Sequence, residues 1–170
     1  AGCGGDLQTK DNNPNKKSEA GPGKAHAAVN KIIEPGQLIS RTEAEAFTGE
    51  KLKDGQCDEK PAVGMKKCFY EAADSDKFLQ ITVQQPGFMP QHVLAAGQSP
   101  KTIFAETRKM LTDGRIDLAG MGDAAFIGTG GLHLLTGDCY ITIGAGNPDR
   151  DGNRQKLEAA ARLVLDKLQR

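Results

Sequence analysis

Residues 132–143, LHLLTGDCYITI, decide the fold of this chain. Two apolar runs flank the turn Thr136-Gly137-Asp138, and the second run alternates apolar residues with Tyr140 and Thr142. Such alternation is typical of a strand with one buried face, and a turn this short joins antiparallel neighbours. The stretch therefore predicts a β-hairpin whose second strand turns three side chains inward, those of Cys139, Ile141 and Ile143.

A second hairpin is predicted earlier in the chain, at residues 68–71 and 78–84. Its second strand alternates in the same way, and Asp74-Ser75-Asp76 between the two runs supplies residues that turns favour. A further apolar run at 118–127 is also predicted to be a strand. The cluster Gly128-Thr129-Gly130-Gly131 then predicts the turn that leads into the next strand.

Three helices are predicted from their ends and their apolar faces. Ser40-Arg41-Thr42-Glu43 is a capping box, and Gly49 closes the helix that it begins. Ser99-Pro100 begins the second helix, which ends at Asp113-Gly114. One face of this second helix is predicted to hold Ile103, Thr107, Met110 and Leu111, with Phe104 beside them. The last helix begins near Asp151, and its single apolar stripe consists of Leu157, Ala160, Ala161, Val164, Leu165 and Leu168.

The resulting order, α-β-β-α-β-β-β-α, predicts an α+β fold. Hairpins favour an antiparallel sheet, here of about four to six strands, with the helices packed on one face. A doubly wound parallel sheet would need single strands and helices in regular alternation, which this order lacks. Of the remaining segments, residues 30–39 are predicted to hold a short strand or extended entry, and residues 50–66 and 86–94 are predicted to be loops.

Composition excludes several classes of function. The chain has 170 residues, and its 22 Lys and Arg balance its 22 Asp and Glu. A net charge of zero argues against a nucleic-acid binder, which needs an excess of cations to bind phosphate. Trp is absent and aromatic residues are 5%, which disfavours stacking platforms for bases or sugars. No apolar run reaches the ~20 residues of a membrane-spanning helix.

The opening Ala1-Gly2-Cys3 resembles the end of a bacterial lipoprotein signal, in which small residues precede a cysteine that receives a diacylglyceryl group. The resemblance implies lipidation of Cys3 and contact with a membrane through this N-terminal lipid. Residues 4–28 contain one large aliphatic side chain, Leu7, and cannot bury enough apolar area to offset the entropy of ordering them. We therefore expect a lipidation site and disordered tether at 1–29, followed by a single α+β domain at 30–170.

The other three cysteines allow one disulfide in an exported protein. Cys57 and Cys68 flank a loop with proline and glycine, and we favour this pair. The competing pair is Cys68 with Cys139, which requires that their strands be neighbours. Otherwise Cys139 is a small core residue of its strand.

No motif in the sequence predicts a catalytic residue, a cofactor or a metal site. The glycine clusters between 120 and 131 lack the remaining residues of a nucleotide-binding loop, so hairpin turns account for them better. His133 in its strand is expected to be a surface residue or a satisfied hydrogen-bond partner, and His26 falls in the tether. Residues 147–153 resemble a calcium loop superficially, but a turn into the last helix accounts for them better.

The best sequence candidate for a ligand-binding loop is the apolar segment that contains Phe88, Met89 and His92. It has no clear period, and loops carry binding residues more often than core elements do. The alternative is a loop that simply packs on the core.

The body from Ile39 to Leu168 resembles a group of small bacterial lipoproteins, best known in actinobacteria. Their fold is similar to that of the extracellular sensor domain of receptor serine/threonine kinases. The matching features are the opening helix at Ser40 to Gly49, the C-x-Y strand at Cys68 to Tyr70, G-M-G-D-A-A-F at Gly120 to Phe126, and the closing helix from Leu157. The resemblance implies an exported α+β domain and transfers no catalytic residue.

Together these features predict a lipid-anchored binding or interaction domain without catalysis, on the periplasmic or extracellular face of a bacterial envelope. Its ligand would be a small molecule, an envelope component or a partner protein, and we expect a monomer. One alternative is an envelope hydrolase whose carboxylates are brought together by the fold. Another is a structural or inhibitory lipoprotein that acts through the 86–94 loop.

Overall fold

The hairpin predicted at 132–143 lies inside a seven-stranded sheet in the computed structural model, which describes residues 31–170. The strands are β1 (Gln56–Lys60), β2 (Met65–Glu71), β3 (Phe78–Gln84), β4 (Ile116–Leu118), β5 (Ala124–Gly128), β6 (Gly131–Thr136) and β7 (Cys139–Gly144). Their spatial order is β1-β2-β3-β7-β6-β5-β4, and every neighbouring pair is antiparallel. The predicted α+β class and antiparallel sheet are therefore confirmed.

Five α-helices accompany the sheet within the described residues: α1 (Pro35–Leu38), α2 (Arg41–Thr48), α3 (Gln91–Ala95), α4 (Pro100–Met110) and α5 (Asp151–Leu168). Short 3-10 turns lie at Pro61–Val63 and Pro86–Phe88. Both predicted helix starts are confirmed, because the Ser40 and Ser99 hydroxyls accept hydrogen bonds from the backbone N–H three residues later. These bonds satisfy N–H groups that the first turn of a helix leaves without partners.

One face of the sheet packs against α1, α2 and α5. Helix α5 carries its predicted stripe here, with Leu157, Ala161 and Val164 fully buried against β6 and β7. The Tyr70 hydroxyl of β2 holds α1 against the sheet, because it donates a hydrogen bond of 2.9 Å to the Ile39 carbonyl. Burial of this face is the main favourable term of folding.

Helix α4 packs on the opposite face, so the prediction that all helices lie on one face is wrong. Phe104 of α4 has its ring centroid 5.5 Å from that of Phe126 and 5.4 Å from that of Tyr140. Tyr140, which alternates with the inward residues of β7, is 5% exposed and belongs to this second core. The predicted face of α4 is correct except for Met110, the last residue of the helix, which is 75% exposed.

The sheet has more strands than predicted, for two reasons. Strand β1 has no apolar period, because all its residues are exposed at the edge of the sheet, and the sequence therefore resembles a loop. The apolar run at 118–127 is divided between β4 and β5. It is interrupted at Gly122, which has a φ of +59° and whose Cβ, if present, would lie 2.6 Å from the Leu135 carbonyl oxygen.

The helix order also differs from the prediction. Residues 30–39, predicted as a strand or extended entry, contain α1, which begins with Pro35. Proline fixes a helical φ and is favoured in the first turn. The 86–94 segment, predicted as an irregular loop, contains the 3-10 turn at Pro86–Phe88 and most of α3.

Cys57 and Cys68 form a disulfide, which is the pairing favoured from the sequence. The two residues are register partners in the β1–β2 hairpin, whose turn is the 3-10 turn at Pro61–Val63. Cys139 on β7 is a half-buried free thiol, and burial raises its pKa. The disulfide therefore ties the exposed edge strand to the sheet.

Truncation of the second core tests whether α4 and its aromatic residues stabilise the fold. Phe126 is fully buried, so Phe126→Ala should lower the free energy of unfolding by about 3–5 kcal/mol. The control Met110→Ala, at an exposed position, should change it by less than about 0.5 kcal/mol. Denaturant titration measures both values, and equal stability of the two variants would contradict the packing of α4 described above.

Reduction should destabilise the domain through one disulfide only. Cross-linking residues separated by 11 positions is expected to contribute about 3 kcal/mol, so a phosphine reductant should lower the unfolding midpoint of the parent chain. The variant Cys57→Ala/Cys68→Ala should start at the lower midpoint and should not respond to reductant. Cys139→Ala should respond as the parent does, and an insensitive Cys139→Ala would instead support the Cys68–Cys139 pairing.

Candidate functional site

Two clefts lie side by side at the end of the sheet where β7 ends and β3 begins. Both are bordered by the loop at 145–150 that leads from β7 to α5, and they share Asn147. The same end holds the β2–β3 turn, the β5–β6 turn and the connection from α4 to β4. Several separate segments thus supply side chains to one small region, as in many ligand sites.

The first cleft has a volume of about 420 Å³, and we call it the acidic cleft because it contains two carboxylates and one guanidinium. It lies beside β4 and β5. Its lining residues are Asp113, Gly114, Ile116, Ile127, Gly128, Thr129, Gly130, Asn147, Pro148, Asp149 and Arg154.

The second cleft has a volume of about 290 Å³, and we call it the cationic cleft because three cations and one carboxylate line it. It lies beside α2, β3 and the first turns of α5. Its lining residues are Phe47, Thr48, Asp76, Lys77, Phe78, Ala145, Gly146, Asn147, Arg150, Asn153 and Lys156.

The 145–150 loop between the clefts is held by its own amide groups. Gly146 has a φ of +75°, and the Asn147 side-chain oxygen accepts a hydrogen bond of 2.8 Å from the Asp149 N–H. The Asn153 side-chain amide donates a hydrogen bond of 2.9 Å to the Asn147 carbonyl. These contacts fix the loop against α5, and they confirm that residues 147–150 form a turn into the last helix.

Charge is unevenly satisfied around the cationic cleft. The Lys77 ammonium lies 2.7 Å from a Glu50 carboxylate oxygen. Arg150 and Lys156 are exposed, and among the side chains that the structure describes neither forms an ion pair. Arg150 is also the N-cap of α5, and it makes no side-chain capping hydrogen bond. Arg150 therefore lies at the positive end of the helix dipole, and Lys156 lies in the second turn of the same helix.

A buried histidine supports the turn that lines the acidic cleft. His133 on β6 is 5% exposed, and its ring stacks on that of Phe126 with centroids 4.5 Å apart. Its Nε2 lies 3.1 Å from the Thr129 carbonyl oxygen, which can only accept, so Nε2 carries the proton. In the neutral ring Nδ1 then accepts from the Tyr140 hydroxyl at 2.6 Å. His133 is thus a satisfied partner, as one of the two sequence interpretations expected.

Burial lowers the pKa of His133, and the hydrogen bond to the Thr129 carbonyl opposes that shift without cancelling it. Burial also raises the pKa of the neighbouring Tyr140. Both effects have one cause, since removal from water disfavours the charged form of either ring. The pair is therefore neutral near pH 7.

The predicted ligand-binding loop does not line either cleft. Met89 is 7% exposed and packs under Gly64, where an added Cβ would lie 2.2 Å from the Met89 Cγ. Phe88 is half-buried, with the Lys66 ammonium 4.8 Å from its ring centroid, whereas His92 on α3 is exposed. The three side chains thus point to different surroundings, and Met89 is part of the core.

Lys66 itself is held by two carboxylates beside the disulfide. Its Nζ lies 2.7 Å from an oxygen of Glu34 and 2.7 Å from an oxygen of Glu59. These hydrogen bonds, that of Glu34 first, raise the pKa of Lys66. The contact between Lys66 and Phe88 therefore adds to an ion-pair network that ties the chain before α1 to the β1–β2 hairpin.

Two predicted features, Cys3 and the tether at 1–29, lie outside the described residues, as does His26. In residues 31–170, no three His, Cys, Asp or Glu side chains converge as metal ligands do. No helix of the same range is long and apolar enough to cross a membrane.

Sequence reasoning missed the two clefts because it treated the 145–150 segment only as a turn. One signal was available, since Arg150, Arg154 and Lys156 bring three cations to the start of a helix, where acidic residues such as the adjacent Asp149 and Asp151 are favoured. The contributions of Phe47 and Lys77 were not visible, because they come from segments about 70–100 residues away in the chain.

No protein-family model, curated protein or solved structure matches this chain. The resemblance to small lipoproteins accordingly stays a prediction, and the function must be argued from the site.

The buried histidine predicts a defined pH dependence of stability. Because the pKa of His133 is lowered in the folded state, the unfolded chain binds a proton first as the pH falls below about 6.5. The free energy of unfolding should therefore decrease from about pH 7.5 to about pH 5.5, above the titration range of ordinary carboxyl groups.

The matched variants are His133→Gln, which should reduce this slope, and His92→Gln at an exposed position, which should keep the slope of the parent. Denaturant titrations at several pH values provide the measurement. An unchanged slope in His133→Gln would assign the pH dependence to other groups.

Proposed function

We propose that this chain is a lipid-anchored, extracytoplasmic binding domain that takes a small ligand in the clefts at the end of its sheet. The observation that carries the binding role is the convergence of cations, amides and aromatic rings in the cationic cleft. Such a mixture of a few polar groups with apolar walls is typical of ligand sites. The role requires no chemical step.

Export is supported by the Cys57–Cys68 disulfide, because disulfides persist in oxidising compartments outside the cytoplasm. Anchoring rests on the resemblance of Ala1-Gly2-Cys3 to a lipoprotein signal. A multiply acylated cysteine holds a protein at a membrane, since each buried CH₂ contributes about 0.8 kcal/mol.

An envelope hydrolase is the second candidate, and the acidic cleft favours it. Asp113 and Asp149 line this one cleft, and paired carboxylates can act as general acid and base. A hydrolytic activity that disappears in both Asp113→Asn and Asp149→Asn would support this candidate over the binding role.

Anchoring and ligand binding can be tested together on protein recovered from its own host. The parent chain should fractionate with membranes and carry acyl mass on Cys3, and native mass spectrometry should detect a bound small molecule. Cys3→Ser should lose the acyl mass and move to the soluble fraction. Cys139→Ser, which changes the free thiol of β7, should remain with the membranes.

A parent chain found in the soluble fraction without acyl mass would refute the anchoring role. An acylated chain without any bound molecule would shift the proposal from a small ligand to a protein partner, which crosslinking in the membrane fraction would then identify.

A further inference from the structure

We infer that the cationic cleft binds a small organic anion that carries a flat apolar group. The inference deepens the proposed function, on which it rests for its biological meaning, by naming the chemical class of the ligand. Three features of the cleft point to this class, namely its charge, the start of α5 beside it and its aromatic walls.

Ion pairs elsewhere on the described surface mostly join separate segments of the chain. The chain as a whole is neutral, and each of these pairs brings a lysine or arginine close to a carboxylate. Arg150 and Lys156 are among the cations without a carboxylate partner in the described side chains, and both border one concave surface. Among the described lining residues, Asp76 is the one carboxylate. The cleft therefore has a local excess of positive charge that attracts anions.

The start of α5 adds to this charge. The helix has 18 residues, and its N-cap Arg150 makes no side-chain capping hydrogen bond. Its dipole places a partial positive charge at this end, so the positive charge of Arg150 at the N-cap is slightly unfavourable for the helix when the cleft is empty. An anion in the cleft would offset both effects. The local conflict between sequence and helix is the kind that functional sites retain.

The walls indicate the rest of the ligand. Phe47 of α2 and Phe78 of β3 are both half-buried and border the cleft, so each keeps part of its ring available for contact. A flat apolar group between these rings would bury area that water now covers. The Asn147 and Asn153 amides are fixed by hydrogen bonds, so they offer positioned polar groups beside the charges.

The neighbouring acidic cleft explains why the anion belongs on one side of the 145–150 loop. That cleft presents Asp113 and Asp149 together with Arg154, and its net negative charge disfavours an anionic ligand there. The two clefts share Asn147 but have opposite net charge, so an anionic ligand is expected to bind in the cationic cleft and not in the acidic cleft.

The test uses two fluorescent probes of nearly equal shape, 1-anilinonaphthalene-8-sulfonate and its neutral analogue N-phenyl-1-naphthylamine. The purified full chain should bind the sulfonate more tightly than the neutral probe. Arg150→Gln/Lys156→Gln should weaken sulfonate binding by about tenfold or more, because charge-assisted hydrogen bonds to the sulfonate are lost. The same variant should bind the neutral probe as the parent does.

The control variant is Lys60→Gln/Lys109→Gln, which removes the same formal charge from β1 and α4, two elements that do not line the cleft. Its affinity for the sulfonate should stay within about twofold of the parent value. The amide resonances of Gly146 and Gly152 should shift when the sulfonate is added to the parent, and should not shift in Arg150→Gln/Lys156→Gln. Cooperative thermal unfolding of all three chains, with midpoints at or slightly above that of the parent, verifies that the fold is intact.

Three results would overturn the inference: equal weakening in the control variant, equal affinity of the parent for both probes, or shifts that map to another surface. Each concerns the purified chain and leaves the anchoring result untouched. Conversely, a chain without lipid in its host would refute the proposed anchoring while the cleft could still bind the sulfonate.

Discussion

The structure depends on one constraint, namely that the β6–β7 hairpin must be covered on both faces. Its strands present Leu134 and Ile141 to one side and His133 and Tyr140 to the other, and all four are buried. A sheet that is apolar on both faces needs a helical layer on each, and α5 and α4 supply them. Because helices cover both faces around this hairpin, both clefts lie at the end of the sheet, where several connections meet.

The core between α4 and the sheet is harder to form than the core on the other face, because it contains the polar side chain of His133. A buried imidazole without partners would cost several kcal/mol, so its two hydrogen bonds are a condition for packing α4 over β6. One of these bonds runs to the carbonyl of Thr129, in the glycine-rich turn beside the acidic cleft. The packing of a core residue and the shape of a surface turn are thereby linked.

The sequence predicted most of the elements, and the reasons for the errors are specific. Local patterns predict several elements whatever packs against them. Alternation predicts strands β3 and β7, and caps and apolar stripes predict helices α2, α4 and α5. The second face was missed because a tyrosine in an alternating strand resembles an outward residue, whereas Tyr140 is buried by a helix about 40 residues earlier in the chain. The clefts were missed because a concave surface depends on which distant segments become neighbours, and local patterns do not contain that information.

The edge strand β1 affects how copies of the protein meet when many of them are crowded together. Strand β1 is exposed along its whole length and carries Asp58, Glu59 and Lys60, and the disulfide keeps it bound to β2. If a second copy paired its own β1 with this strand in antiparallel register, the charged residues of the two strands would lie next to each other. The disulfide would also keep β1 from separating from β2. Edge-to-edge association of two copies through β1 is therefore disfavoured, and the sheets of copies concentrated on one surface would remain separate from each other.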